Sequence, residues 1–355
     1  MRIKKILFLI LLLLIGFNAF SQDPSFSQFY FNQTYFNPAF AGISGGTNAG
    51  ITYRRQWINL PGKFETFFLN LDSDLPSVNN IGGYGINVFR DVQGEGFLTT
   101  TGASLMSNVI IQTHKSAYLK FGVSLSMYSK TVDWSNFTFG DQLDPVLGII
   151  RPTGFKAPTD VDNIFPDLTF GTLYLFGHTI SNRNTRKDNY NGIIGFAIQH
   201  INEPNESFLG QNSKLPMKLV FHANLNIAIN HDADMIFSPC VVYERQKVLN
   251  IDFNSMNTLF GGFNIYWNGF FIGPWTRFFS NSDAIIFNVG IIQGNNDKRS
   301  NNFRFSYSYD LTISSLSSRA TGGSHEISFN YYFHKEKKTR SKGHVYNPPP
   351  CPTFN

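Results

Sequence analysis

From Phe221 to Ile229 the chain reads Phe-His-Ala-Asn-Leu-Asn-Ile-Ala-Ile, apolar at every odd position and mostly polar or small between. Successive side chains of a β-strand point to opposite faces, so this beat puts grease on one side and amides or small groups on the other. The beat returns in Leu119 to Met127, in Phe303 to Asp310 and in Glu326 to Phe333, and none of these windows holds a face of period 3.6. Strands with two unlike faces build either a soluble sandwich, with the apolar face inward, or a closed membrane barrel, with it outward.

The N-terminus separates the two. Arg2, Lys4 and Lys5 precede an unbroken apolar run from Ile6 to Ile15, and Ala19-Phe20-Ser21 supplies the small residues of a cleavage site. This is the pattern of a secretory signal peptide over residues 1–21, with the mature chain starting at Gln22 and no cysteine there to carry a lipid anchor. Aromatic residues make up 16% of the chain and charged residues only 15%, against about 25% charged in ordinary soluble domains. Aromatics at that density suit lipid-facing bands and interfacial girdles. No segment after the leader approaches the roughly 20 apolar residues of a spanning helix, so any crossing must use strands of about 9 to 11 residues. A mean hydropathy of -0.14 fits walls whose second face looks into a wet bore.

Reading polar, Gly- and Pro-containing breaks as turns gives fourteen strands, near 46–57, 65–73, 81–90, 98–111, 116–131, 166–177, 190–201, 216–230, 233–243, 250–267, 269–278, 284–293, 302–311 and 325–333. The expectation is an all-β, closed antiparallel transmembrane β-barrel of the outer-membrane type over residues 46–333, an even count that returns both ends to one side. With that side periplasmic, the short connections at 112–115, 230–232 and Asn268 fall inside, and the long segments 133–165, 202–215 and 312–324 fall outside. The polar, basic stretch from Thr179 to Asn189 is long for a periplasmic turn. Residues 22–45, aromatic and amide-rich without a two-residue beat, form a pre-barrel segment at the periplasmic mouth or in the lumen. Residues 334–355 form a basic, Pro-rich periplasmic tail that neither helix nor sheet accommodates.

Three separated motifs resemble the PorP/SprF family of outer-membrane proteins from the type IX secretion and gliding machinery of Bacteroidetes. They are Pro24 to Asn32 followed by Asn37-Pro38-Ala39-Phe40-Ala41-Gly42, then Tyr53-Arg54-Arg55-Gln56-Trp57 ahead of Pro61-Gly62, then Tyr307-Ser308-Tyr309-Asp310 ahead of Gly322 to Ile327. The resemblance covers nearly the whole mature chain. It implies a non-enzymatic outer-membrane role: helping to deliver or anchor secreted cargo, often large adhesins with a type B C-terminal secretion domain, at the cell surface, and contact with components of the periplasmic ring.

Strand parity sends Arg54 and Gln56 into the lumen near the outer rim, opposite Ile51, Tyr53 and Trp57; Asp310 takes the same parity and Arg277 reaches the rim. These groups either meet cargo or satisfy one another inside the wall, where an unpaired charge is costly. Gln28, Asn37 and Pro38 are the candidate contacts of the pre-barrel segment, serving as plug, partner contact or turn. Chemistry is sparse. His325-Glu326 lacks the second His of a zinc-protease motif, Gly82-Gly83-Tyr84-Gly85 has no following helix, and no cofactor or metal spacing is present, so the chain reads as a non-enzyme. Cys240 and Cys351 read as two unpaired thiols, with a disulfide between them left open. The formal charge of +5 falls to +2 without the three leader cations, too little to argue for nucleic acid. A diffusion channel or fatty-acid-type transporter, and a soluble adhesive sandwich, remain the competing readings.

Overall fold

The computed structural model describes residues 23–75, 81–95, 97–114, 116–144, 146–156, 163–177, 190–207, 213–230, 235–247, 255–279, 281–293, 302–314 and 317–333. The expected leader with its cut after Ser21, the segment from Thr179 to Asn189 and the tail 334–355 lie outside the described residues.

Fourteen strands close into one barrel. They are β1 (Thr47–Gln56), β2 (Lys63–Asp74), β3 (Ile81–Gly94), β4 (Leu98–His114), β5 (Ala117–Thr131), β6 (Asn163–Gly177), β7 (Tyr190–Gln199), β8 (Lys218–Asn230), β9 (Met235–Lys247), β10 (Ser255–Trp267), β11 (Phe270–Phe279), β12 (Asn281–Gln293), β13 (Asn302–Thr312) and β14 (Ser324–Phe333). Each pairs antiparallel with its neighbours in the chain, and β1 closes on β14 from Thr47 opposite Phe333 to Gln56 opposite Ser324. Closure pairs every strand on both sides, which leaves no free edge for lipid to meet.

Strand number and topology agree with the sequence expectation, and so does parity. Ile51, Leu69, Leu71, Val123, Leu125, Val289 and Ile327 are exposed, with Leu105 at 60%, while Thr52, Arg54, Asn70, Asp72, Ser306, Asp310 and Asn330 are buried on the opposite face. A soluble sandwich has the reverse arrangement. An apolar band on every strand of a closed cylinder is stable only against hydrocarbon.

Two local expectations are revised, and a third, the short connection at Asn268, is met. β3 runs on to Gly94, β4 to His114 and β9 to Lys247, because ladder pairing continues through polar ends such as Thr66 opposite Asp91 and Arg245 opposite Asn257. Trp57 does not share the outward face of β1. It lies beyond the strand end with φ 51 and packs edge-on against Phe64 at 5.2 Å. The connection at Asn268 is a tight hairpin, with Asn268 and Gly269 both left-handed (φ 47 and 82), the combination that matches strand twist.

The barrel has two unlike ends. At one, β5 leaves for the 132–162 connection and β7 for 200–217; we call this the long-loop rim. At the other, β4 turns into β5 and β10 into β11 within two residues, and β1 begins; this is the short-turn rim. The 132–162 connection contains two 3-10 turns and a short ladder, Leu143–Asp144 with Gly148–Ile149. The bore is not lined by polar groups alone: Phe68, Leu173, Val220, Val242, Phe260, Trp275 and Ile286 point inward and are buried. Their partners come from the segment that precedes β1.

Candidate functional site

Residues 23–46 run through the bore from the long-loop half to the short-turn rim, where β1 starts. Phe26, Phe29, Phe36 and Phe40 are almost wholly buried and form one apolar cluster with the inward residues of the wall. Phe26 lies 5.4 Å from Phe68, Tyr30 lies 5.8 Å from Trp275, and Phe29 and Phe40 flank the His222 ring at 5.1 and 5.0 Å. The lack of a two-residue beat in this stretch follows from that location, since its side chains are covered on all sides rather than on one.

Polar contacts fix the segment at three heights. Nearest the long-loop rim, the Asp23 carboxylate meets His200 Nε2 at 3.0 Å and Lys218 Nζ at 3.4 Å. His200 Nδ1 also faces Asp167 at 3.0 Å, and Lys218 reaches Glu244 at 3.3 Å. Burial disfavours the charge on Asp23, yet His200 and Lys218 outweigh it and hold the carboxyl well below the usual carboxylate range. Burial likewise opposes the charge on His200, but the Asp23 carboxylate and the bonds to both acids raise its pKa to about 9.

The second height is the ion network that includes three of the residues singled out from the sequence. Arg54 Nη2 contacts Asp310 Oδ2 at 2.9 Å and Arg54 Nη1 contacts Glu326 Oε2 at 3.1 Å, all three side chains being fully buried. Arg277 Nη1 reaches the same Asp310 oxygen at 3.2 Å and pairs through Nε with Asp283 at 2.6 Å. The network grips the segment directly. Ser27 accepts from Arg54 and donates its hydroxyl to Asp310 at 2.7 Å. The backbone N–H groups of Ser27 and Gln28 donate to Glu326 at 2.8 and 3.0 Å, and Gln28 Nε2 donates to the Glu326 carbonyl at 3.1 Å. Gln56 sits two residues beyond Arg54, half-buried and outside this network.

At the third height Asn37, wholly buried, donates through Nδ2 to the carbonyls of Thr172 (3.0 Å) and Phe196 (3.2 Å) and faces His222 Nε2 at 3.2 Å. Its Oδ1 accepts from Ala39 N at 3.0 Å and so caps the 3-10 turn Pro38–Phe40, which Pro38 opens. Gly122 and Gly171 permit this approach, since a Cβ at either would run into the backbone of Pro38-Ala39 or the Asn37 amide. Below it, Lys120 and Asn108 donate to the Ala41 carbonyl at 2.9 and 2.7 Å, and Gly42 N–H donates to Asp72 at 2.9 Å. Gln28, Asn37 and Pro38 are therefore all interior residues.

Several of these residues are absent from the sequence candidates: Ser27, Glu326, Asp23, His200 and Lys218. Glu326 was legible in principle, because it has lumen parity in the last strand and stands directly opposite Arg54 once β14 closes on β1. Asp23 and His200 are 177 positions apart and share no pattern.

The segment divides the interior. A cavity of about 890 Å3, counting space open to solvent, lies in the long-loop half between Pro24, Tyr35, Phe89, Tyr128, Lys130 and Glu206. A second, of about 800 Å3, lies in the short-turn half among Tyr30, His222, Cys240, Tyr266, Trp275 and Tyr332. Among the described residues no cluster of His, Cys, Asp and Glu is arranged to hold a metal ion.

An inside-out cylinder of fourteen antiparallel strands is an outer-membrane-type β-barrel, here with its own N-terminal segment lodged in the bore. Residues 18–331 match the family described as type IX secretion system membrane protein PorP/SprF, and the chain belongs to that family. It is thus an outer-membrane component of type IX secretion, a machinery with further protein components. No curated protein matches the sequence. Among solved structures the chain is similar to a CymD monoaromatic hydrocarbon channel (11% identity, TM-score 0.43, covering 86% of this chain and 93% of that one). It is also similar to the P. putida toluene transporter TodX (10%, 0.42, 84% and 93%) and to a Pseudomonas aeruginosa FadL homologue (11%, 0.37, 81% and 89%). Nothing those proteins carry transfers to this chain at such identities.

Proposed function

We propose that this barrel is a non-enzymatic docking protein that helps deliver secreted cargo, of the kind bearing a type B C-terminal secretion domain, to the cell surface and anchors it there. In this reading the long-loop rim faces outward and its cavity receives the cargo, while the short-turn rim faces the periplasmic ring. The observation that carries it is the path of residues 23–46, which cross the bore and leave the long-loop cavity backed by the segment. A conduit for small solutes has no use for such a barrier, whereas a receptor for a protein end gains a floor from it.

Arg54, Arg277, Asp310 and Glu326 are in this view the clamp that keeps the segment seated, and meet cargo only through it. Affinity purification of the full chain from outer membranes, followed by mass spectrometry, tests the proposal. Co-purification of a large secreted adhesin or of ring components is expected. Steady conductance in planar bilayers with no protein partner recovered would replace it with the channel reading.

A further inference from the structure

We propose that the outer wall of β1 to β3, at its long-loop end, binds a phosphorylated lipid of the outer leaflet, with Arg55, Lys63 and Arg90 as the groups that hold its phosphate. The inference is independent of what cargo the protein serves, and rests on the functional reading only in taking the long-loop rim as the outward one.

Outward cations are unevenly distributed over the cylinder. Among the described strand residues they are Arg55, Lys63, Arg90 and Arg245, which share their outer faces with the exposed Tyr53, Phe67, Val88 and Tyr243. Each lies at the long-loop end of its strand, Lys63 opening β2 and the others within four residues of where β1, β3 and β9 stop. At the short-turn ends the outward positions carry Tyr84, Trp267, Phe270 and Phe333, and no described Lys or Arg. A cation on a lipid-facing wall is costly at mid-depth and tolerated at the interface, so these groups mark the headgroup level of one leaflet. Tyr53, Tyr307 and Tyr309 stand at the same level as an aromatic girdle, Tyr307 sharing a hydrogen bond of 2.7 Å with His325.

Three of the four cations stand on adjacent strands. Arg55 is opposite Glu65, Lys63 is opposite Gly94, and Arg90 is opposite Phe67. With outward neighbours ~6.8 Å apart along a strand and strands ~4.8 Å apart, the Arg55 Cα lies roughly 8 Å from that of Lys63 and roughly 12 Å from that of Arg90. Long side chains close such gaps around one headgroup. Glu65 takes up part of the Arg55 charge at 3.7 Å. Lys63 lies over the Phe97 ring at 5.3 Å, and neither it nor the exposed Arg90 has a carboxylate partner among the described residues. Even with Glu65 and the exposed Glu95 beyond Gly94, cations outnumber acids here. Phosphate suits them, since the planar Arg fork bonds two of its oxygens and Lys adds a point charge. A lipid rather than a soluble anion is indicated by the neighbours: Phe67, Leu69 and Val88 are exposed and continue into the hydrocarbon-facing band, where acyl chains would lie.

The test uses the full-length protein, purified from outer membranes, freed of bound lipid in detergent and titrated with diphosphoryl lipid A under native mass spectrometry. Retention of the lipid is expected. Binding should be about tenfold weaker for the same lipid stripped of its phosphates, and about tenfold weaker for the double variant Lys63→Gln, Arg90→Gln. Arg245→Gln, on the far strand β9, should leave it unchanged, and the folded, heat-modifiable band shows that each variant has assembled. Equal binding by the unaltered protein and the double variant overturns the proposal, and so does equal binding of the two lipids. Inorganic phosphate held as tightly as the lipid would make this a site for a free anion and overturn it as well. Orientation is read separately with a membrane-impermeant maleimide on intact cells carrying Leu147→Cys, a position 74% exposed in the 132–162 connection. Labelling above that of the unaltered protein is expected; protection of the thiol would put these cations in the inner leaflet and overturn the outer-leaflet assignment.

Discussion

In the half of the bore nearest the long loops, Arg54, Asp310, Glu326, Asp23, His200 and Lys218 satisfy one another and the segment with ionised groups. Towards the short-turn rim the charged groups that hold the segment, Lys120 and Asp72, bind its backbone at the Ala41 carbonyl and the Gly42 N–H, and neighbouring wall contacts are neutral: Asn330 donates to Asn48 at 3.2 Å, Thr52 and Ser328 share a bond of 2.9 Å, and Trp275 donates to Asn264 at 3.0 Å. Both halves hold one segment, but they fail differently. A buried ion network is stable only while complete, because each removed partner strands the opposite charge, whereas a lost amide contact leaves a neutral group with other neighbours to turn to. The first half is therefore a clamp and the second a cradle.

The sharpest way to break that distinction is Arg54→Ala. It leaves the Asp310 and Glu326 carboxylates buried, with Arg277 as the remaining cation, and should cost about 3 to 5 kcal/mol. The folded, heat-modifiable band on gels should disappear at a much lower temperature, or the barrel should fail to assemble. The companion variant Arg54→Met with Glu326→Gln, which removes one charge of each sign, should recover part of the loss. A smaller effect is expected from pH. With its pKa raised to about 9 from 6.5, His200 contributes stability that is full below pH 6.5 and is lost as pH rises through about 9. Its ceiling is about 3 kcal/mol, since about 1.4 kcal/mol accompanies each pH unit of displacement. Melting of the folded band at pH 7 and pH 10 checks this, and His200→Gln should flatten the difference.

The wall was far more legible in the sequence than the clamp. A period of two is a local signal, repeated on fourteen strands, and each repeat reports which face meets hydrocarbon. Parity alone therefore brought Arg54 and Asp310 inward. It could not bring Asp23 to His200 or Ser27 to Glu326, because those pairings depend on where an irregular segment travels once the cylinder has closed. Nor did parity foresee the inward Phe68, Phe260 and Trp275, whose apolar surface is useful only because Phe26, Tyr30 and their neighbours arrive to cover it. Trp57 shows the converse: its place in the beat suggested an outward wall residue, but the strand had already ended.

Between the two halves, Gly171→Ala probes the segment without touching the ions. The added methyl would meet the Asn37 Oδ1 atom and the Pro38 ring, so the 3-10 turn must move, at a cost of about 1 to 3 kcal/mol. The folded band should persist but melt earlier than in the unaltered protein, and less early than with Arg54→Ala. A loss as large as that of Arg54→Ala would mean that the turn, rather than the ion network, seats the segment.

The smallest effect belongs to the cradle. Trp275→Phe keeps a ring against Tyr30 but deletes the indole N–H that Asn264 Oδ1 accepts. Asn264 lines the short-turn cavity, where an amide oxygen has room to take a water in place of the indole. The cost should be about 1 kcal/mol, the net worth of a neutral hydrogen bond, read as a slight drop in melting of the folded band. If Trp275→Phe instead unfolds the barrel as Arg54→Ala does, the short-turn half bears the fold as heavily as the ion network, and the separation into clamp and cradle fails.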